Sequence, residues 1–387
     1  MDLAYIDNNQ SLAFACDTIR LSKVVCIDTE FHRETTYYPE LALIQVSNGE
    51  QTFCIDPLTV TDFTPFLSLL TNPNVTKVLH ASQQDLEIFN QLFNTLPSPI
   101  FDTQIAAGLL GYGDQIGYAA LIKKELNIDI DKSQTRTDWM RRPLSREQLL
   151  YAANDVYYLA KAYPKIIEQL TSLNRLEWLQ GDFSSLCLPA HFKVDMQNIW
   201  KKVKGNQKLN GLQLAILQAL AAWREETAQL RNRPRRRILP DDALIDIARL
   251  KPDSAEKITK LRSLNKTRLT REDADELLQR MNIAMRLPRE HWPKHVKRHK
   301  LNVREDALVD TLSAILKLKA DEHRITPLNL ASRRDLEDLL QGVSDVPLMQ
   351  GWRYTHAGQA IEEYLSGKRY LQADSGELTV KNFEDNL

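Results

Sequence analysis

Apolar residues recur at helical spacing from Asn8 to Arg20, where Leu12, Ala13, Ala15, Cys16 and Ile19 form one stripe. They then close into a continuous run, Val24 to Ile27, of high strand propensity, which ends in Asp28-Thr29-Glu30-Phe31. Two further apolar stretches, Leu41 to Val46 and Gln51 to Asp56, flank Ser47-Asn48-Gly49-Glu50, a hairpin signal, so three successive strands are predicted. Phe63 to Leu70 reads as a short helix and Thr76 to His80 as another strand. Through Ala81-Ser82 that strand leads into a helix over Gln84 to Phe93, with Asp85 in its first turn. Beyond Ile100 the period is mostly helical: Thr103 to Leu110, Tyr118 to Leu126, and a helix opened by Ser145, with Gln148 three residues on completing a capping box. Lys132 to Trp139 is polar and predicts a loop.

The second half carries almost nothing but the helical period. Pro189 to Lys204 reads as a connector, and Leu212 to Leu230 as a long helix with Leu214, Ile216, Leu217 and Leu220 inward. After a basic loop, Arg231 to Pro240, shorter helices are predicted over Asp242 to Arg249, Ser254 to Lys260 and Arg271 to Met281. Residues 295–373 repeat that length and pattern, with Glu305 to Leu318 and Gln359 to Ser366 as helices, and a loose tail is expected over 374–387. The expected organisation is an α/β domain over 1–190 and two small all-α bundles over 207–288 and 295–373. At about 100–200 residues per domain, 387 residues carry two or three.

Charge sharpens this division. Residues 1–100 hold 4 Lys and Arg against 12 Asp and Glu, residues 201–300 hold 25 against 12, and residues 301–387 hold 10 against 15, although the whole chain sums to −1. An acidic N-terminal part joined to a strongly basic middle predicts a polyanionic partner, held by one part and worked on by another. Within the basic loop, Arg231, Arg233, Arg235, Arg236 and Arg237 are the expected phosphate contacts, with affinity that falls as salt rises. No apolar run approaches the roughly 20 residues that cross a bilayer, and the N-terminus opens with acids, unlike an export signal. Four cysteines without CxxC spacing read as reduced thiols of a cytoplasmic protein.

The candidate chemistry lies where the first apolar run meets its carboxylates. On a strand Asp28 and Glu30 share a face, and Thr29 points the other way. Two close carboxylates either share a proton or surround a cation, for which a hard divalent ion with oxygen ligands is suited; an acid at a turn and another at an exposed strand end would need neither. Asp85 sits at a strand's C-terminal end, where open α/β sheets put ligands, although acids also favour first helical turns for dipole reasons. On the late helix, Tyr151 and Asp155 are four apart and project together, beside the small Ala152 and Ala153.

Asp28-x-Glu30, Asp85 within His-Ala-Ser-Gln-Gln-Asp, and Tyr151-x-x-x-Asp155 resemble the three motifs of the DEDDy 3′→5′ exonucleases. The surroundings, Pro39 to Gln45, Lys132-Ser133 through Asp138-Trp139, and Arg142-Pro143-Leu144-Ser145, resemble the ribonuclease D family in particular. Trp223-Arg224, Ala228, Asn232-x-Pro234, Ile238-Leu239 and Asp241 are similar to the helicase-and-ribonuclease-D C-terminal (HRDC) domain, a nucleic-acid-binding module. The resemblance implies a ribonuclease H-like α/β domain, a mixed sheet flanked by helices, followed by two HRDC bundles. It implies a pair of Mg²⁺ or Mn²⁺ ions about 3.5–4 Å apart, with Asp28 bridging, Glu30 and Asp155 completing one site and Asp85 supporting the other. Tyr151 would orient the attacking water, and Lys132 would lie on a loop over RNA. The implied substrates are tRNA precursors with 3′ extensions, trimmed by release of 5′-mononucleotides, and a monomer is the default state.

Two other readings fit the same residues: a DNA 3′→5′ exonuclease, which only contacts to a 2′-hydroxyl would distinguish, and an RNA binder without catalysis. Zinc suits the carboxylates poorly, because no His or Cys accompanies them, and neither a recognition helix nor zinc-ligand spacing supports a transcription factor.

Overall fold

The computed structural model describes residues 1–264, 269–295 and 299–383. The chain divides into two units, one of residues 1–30, 42–191 and 299–387, the other of residues 31–41 and 192–298.

In the first unit, β1 (Asp2–Ile6), α1 (Asn9–Ile19), β2 (Val24–His32), β3 (Glu40–Ser47), β4 (Gln51–Ile55), α2 (Thr64–Thr71), β5 (Thr76–Leu79), α3 (Gln83–Phe93) and β6 (Ile100–Asp102) follow in order. Among the described residues they build a six-stranded mixed sheet, ordered β1-β4-β3-β2-β5-β6. The β3–β4 pair is antiparallel, as its turn predicts, while β1–β4, β2–β5 and β5–β6 are parallel. β1 was not predicted: its five residues bury only Ile6 fully, so it lacks the apolar run that marks β2 and β3. α4 (Thr103–Leu109), α5 (Tyr118–Leu126), α6 (Arg146–Ser172) and α7 (Leu179–Leu186) complete the α/β domain. Val156, Leu159, Ala162, Ile166 and Leu170 of α6 pack with Cys26, Val78 and Phe101 of the sheet. Cys16, Cys26, Cys54 and Cys187 are free thiols, and burial pushes Cys16 and Cys54 up to about 12, away from the reactive thiolate.

The second unit contains α8 (Gly211–Leu230), α9 (Arg235–Ile238), α10 (Asp241–Leu250), α11 (Ala255–Thr259) and α12 (Arg271–Met285) around Leu217, Leu220, Trp223, Leu244 and Leu277. The predicted inward residues of α8 are all buried.

The remainder of the first unit is α13 (Val303–Glu322), α14 (Arg333–Leu340), and α15 (Gly351–Arg353) running through a π turn into α16 (Gln359–Leu365). These helices fit the expected bundle, but over residues 369–382 the chain forms strands where the end of an all-α bundle and a loose tail were expected. β7 (Arg369–Asp374) and β8 (Glu377–Asn382) form an antiparallel hairpin whose Leu371 and Val380 pack on the helical core. Residues 384–387 of the expected tail lie outside the described residues.

This last domain is docked firmly onto the α/β domain. Trp178 stacks on Trp352 with centroids 4.7 Å apart, and Arg353 grips Asp182 through two bonds of 2.8 and 3.2 Å. Arg175 donates to the carbonyls of Leu109 and His323, and Asn329 donates to that of Gly108. Gly111 has φ +77°, and a Cβ there would stand 2.3 Å from the Arg324 carbonyl, so contact this close requires glycine.

His323 and His356 lie in the same joint, 4.6 Å apart, against Trp178. Burial, then the Arg175 cation for His323, and burial, then His323 and Arg175 for His356, hold both rings below the ordinary 6.5. Unfolding therefore takes up protons as pH falls through 6.5, and stability present above that value is lost below it. Melting temperature should drop more steeply between about pH 7 and 5 in the wild type than in the His323→Gln/His356→Gln variant. Parallel curves would show that the joint is indifferent to their charge.

Candidate active site

Three buried residues, Val25, Cys26 and Ile27, anchor β2 in the sheet, and the strand then delivers half-buried Asp28 and Glu30 to one face. α6 supplies the third acid. Its Ser145–Gln148 capping box fixes the start, and fully buried Ala152 and Ala153 let the helix approach the sheet, so Asp155 meets the strand pair. Ligand oxygens of Asp28, Glu30 and Asp155 all lie within 4.8 Å of one another.

Asp85 arrives by another route. The turn from β5 into α3 places Ala81 at φ +56°, and Asp102 holds it there by accepting from the backbone N–H of Ala81 and Ser82 and from the Ser82 hydroxyl. Asp85, buried in the first turn of α3, accepts a 2.5 Å bond from the Thr29 hydroxyl. Thr29, assigned to the far face by strand alternation, is thus the link between β2 and α3. Asp85 joins the cluster through it and lies outside the close oxygen triad.

The electrostatics are those of crowded acids. Burial first, and then mutual repulsion, drive Asp28 and Asp85 well above the usual carboxylate range and push Glu30 up to about 10; burial lifts Asp155 to about 7. Without a counter-charge these groups favour holding protons. Oxygen-only donors, close spacing and shared repulsion fit a hard divalent cation, which would neutralise them.

Tyr151 lies one turn before Asp155, its hydroxyl 3.2 Å from Thr135 Oγ1 and its ring 6.0 Å from that of Trp139. The polar segment that carries exposed Lys132 therefore folds over Tyr151. Arg142 staples this segment to the sheet: its guanidinium donates twice to Asp56, at 2.6 and 2.7 Å, and to the carbonyls of Ala42 and Trp139. Asp56, Asp102 and Tyr118, whose hydroxyl donates to the Asn154 carbonyl, support the site and were not predicted. The partners of Asp56 and Tyr118 lie 86 and 36 positions away, beyond any local pattern.

In the second unit part of the basic segment is already paired with acids. Arg235 pairs with fully buried Glu225, and Arg231 donates twice to Asp273. Both guanidiniums are drawn into carboxylate pairs because α8 and α12 carry their acids inward. Arg231, Arg233, Arg236 and Arg237 are nevertheless exposed, Arg236 reaching Asp241 at 3.5 Å.

A family model described as 3′-5′ exonuclease matches residues 3–171, and one described as HRDC domain matches residues 213–280. Ribonuclease D of Bartonella henselae is 39% identical over 97% of this chain and 93% of its own length. The chain belongs to the ribonuclease D family. Ribonuclease D of Pseudomonas paraeruginosa is 38% identical over 93% of this chain and 96% of its own. The solved ribonuclease D of Escherichia coli, described as an exoribonuclease involved in structured RNA processing, superposes with a TM-score of 0.84 at 30% identity, covering 95% of this chain and 99% of that one. The mixed sheet flanked by helices is accordingly the ribonuclease H-like exonuclease fold of ribonuclease D. The HRDC match falls on the α8–α12 bundle, and residues 299–383 lie outside it. No helix among the described residues is long and apolar enough to cross a membrane.

Proposed function

We propose that the protein is a 3′→5′ exoribonuclease of the DEDDy type, with Asp28, Glu30, Asp85 and Asp155 as metal ligands and Tyr151 as the residue that orients the attacking water. The observation that carries this reading is the meeting of Asp28, Glu30 and Asp155 within 4.8 Å, from a strand and a helix more than a hundred residues apart. When bound there, two Mg²⁺ or Mn²⁺ ions supply Lewis acidity for phosphodiester hydrolysis.

The chain's own residues do the rest. Asp28, Glu30 and Asp155 present oxygen ligands from fixed elements, and Asp85 supports them through Thr29. The Tyr151 phenol is pushed upward, by burial first and then by the neighbouring acids, so it stays protonated and directs the water as a hydrogen-bond donor. Tyr151→Phe should lower kcat roughly 10- to 100-fold with metal affinity unchanged, measured by single-turnover hydrolysis and calorimetry. Wild-type turnover would remove the role.

Exposed Arg233, Arg236, Arg237 and Lys132 are the groups best able to meet phosphates, with Arg231 and Arg235 contributing through guanidiniums already paired to carboxylates. Residues 295–373 are read as a second, diverged HRDC copy with a packing or positioning role in place of direct RNA contact. The substrates are 3′-extended tRNA precursors and other structured RNAs, acted on by a monomer. A 3′-labelled extended tRNA incubated with Mg²⁺, and again with chelator, tests the reading. Metal-dependent release of 5′-mononucleotides from the 3′ end supports it; internal cuts, or equal loss of a DNA oligomer of the same sequence, overturn it.

A further inference from the structure

Strand β2, which carries Asp28 and Glu30, does not end in a free loop. From Phe31 the chain belongs to the second unit, and there it is held by side chains of the HRDC bundle. Tyr37 is 9% exposed, and its hydroxyl donates to Glu225, whose side chain is inaccessible to solvent. The same hydroxyl accepts from Gln229 Nε2 and Arg235 Nη2, both at 3.1 Å, and the Arg235 guanidinium lies 5.0 Å from the centre of the Tyr37 ring. Asn232, held at φ +46°, turns its Oδ1 to accept from the backbone N–H of both Tyr37 and Tyr38, at 3.1 and 3.0 Å. Tyr37 belongs to the core of the bundle, with Tyr38 packed against it.

These contacts are more than a surface docking needs. A buried hydroxyl with three partners, an ion pair whose glutamate is buried and an asparagine bonded to two successive amides define one conformation for residues 37–38. Seven residues before Tyr37 is Glu30, and three after it is Glu40, the first residue of β3. The segment is therefore fixed at its centre by the bundle, a few residues of chain from Glu30.

We propose that the Tyr37–Glu225–Arg235 network and Asn232 are positioning elements for hydrolysis: the HRDC bundle grips the exit of the catalytic strand and so sets the carboxylate of Glu30. This rests on the reading of Glu30 as a metal ligand. The bundle then has a second task besides holding RNA, and Arg235 serves that task through Glu225. A shift of about 1 Å at a reacting centre can cost on the order of 100-fold in rate, so a clamp this close in sequence has leverage on turnover.

The test uses the full chain with Tyr37→Phe, which removes only the hydroxyl, and Asn232→Gly, which keeps the left-handed backbone and removes the shared acceptor. Each is assayed on a trinucleotide and on a long 3′-tailed RNA. The expected result is a kcat roughly 10- to 100-fold lower on both substrates with KM unchanged. It is accompanied by weaker Mn²⁺ binding in calorimetry and faster amide exchange over residues 24–32, while exchange in α13 is unaltered. A rise in KM confined to the long RNA would make the network an RNA contact. A lower melting temperature with wild-type kcat and wild-type exchange over 24–32 would make it structural alone. Either result overturns the proposal. Asp155→Asn is run beside them: if it stays active, the metal-site reading fails, and the clamp is judged on exchange over 24–32 alone.

Discussion

Asp155→Asn should abolish turnover and at the same time make the metal-free protein harder to melt. The first effect follows from the loss of an anionic ligand where charge must be neutralised, a kcat decrease on the order of 1000-fold or more. The second follows from crowding. Asp155 lies within 4.8 Å of Asp28 and Glu30, and burial with mutual repulsion holds their protonation above the ordinary range. A carboxylic acid whose folded pKa is raised adds stability below its unfolded pKa and loses it as pH rises through the folded value. For Asp155 that interval runs from 3.8 to about 7. Metal-free wild type should therefore lose melting temperature from about pH 4 to 8, and Asp155→Asn should lose less and melt higher at pH 8. Added Mn²⁺ should reverse the order, raising the wild type by mass action and the variant little. Differential scanning calorimetry with chelator and with Mn²⁺ measures both. A variant that melts lower without metal would mean that the acids are held together by something other than a missing counter-charge.

The same crowding explains why the acid cluster was readable from sequence. An apolar run that ends in alternating acids has few structural uses, and β2, α3 and α6 each bring their acid from an element whose own pattern is strong. What the sequence hid were the partners. Thr29 was assigned away from the acids by strand alternation, yet its hydroxyl holds Asp85, because the side chain meets a helix end, which strand periodicity does not describe. Asp56 and Arg142 each look like ordinary loop residues until the fold joins them across 86 positions. The basic segment hid its partners as well. Five arginines in seven positions read as a phosphate surface, but the buried Glu225 and Asp273 that pair with two of them sit on helices whose polar residues look solvated.

The two missed parts of the fold have separate causes. β1 pairs in parallel with β4 about fifty residues on, and little in its five residues announces a partner so distant. The β7–β8 hairpin did carry a signal: Ser375 and Gly376, at φ +51° and +88°, form the kind of two-residue turn that joins twisted antiparallel strands. Flanking strands that are mostly exposed masked it, since only a few positions, Leu371 and Val380 among them, face the core.

The HRDC signature gives the other large effect, because Arg224, Leu239 and Asp241 in it prove to be one buried contact. Arg224, next to buried Trp223 on α8, donates to Asp241 Oδ1 at 2.7 Å and to the Leu239 carbonyl at 3.0 Å, with side chains 5% and 11% exposed. That bond ties α8 to the start of α10 across the arginine-rich turn. Arg224→Met keeps most of the side chain's length but leaves Asp241, among the described residues, with the Lys204 amide and the distant Arg236 guanidinium, at 3.4 and 3.5 Å. Breaking a buried pair from one side costs about 3–5 kcal/mol, whereas replacing both partners with apolar groups is close to neutral. In urea, Arg224→Met should show an early transition of the HRDC bundle ahead of the α/β domain, and Arg224→Met/Asp241→Leu should recover most of the loss. If the clamp on Tyr37 operates, kcat on a trinucleotide should fall with the early transition and not with the late one. Equal destabilisation of the single and double variants would mean that α8 and α10 are held by their apolar faces, with the ion pair contributing nothing.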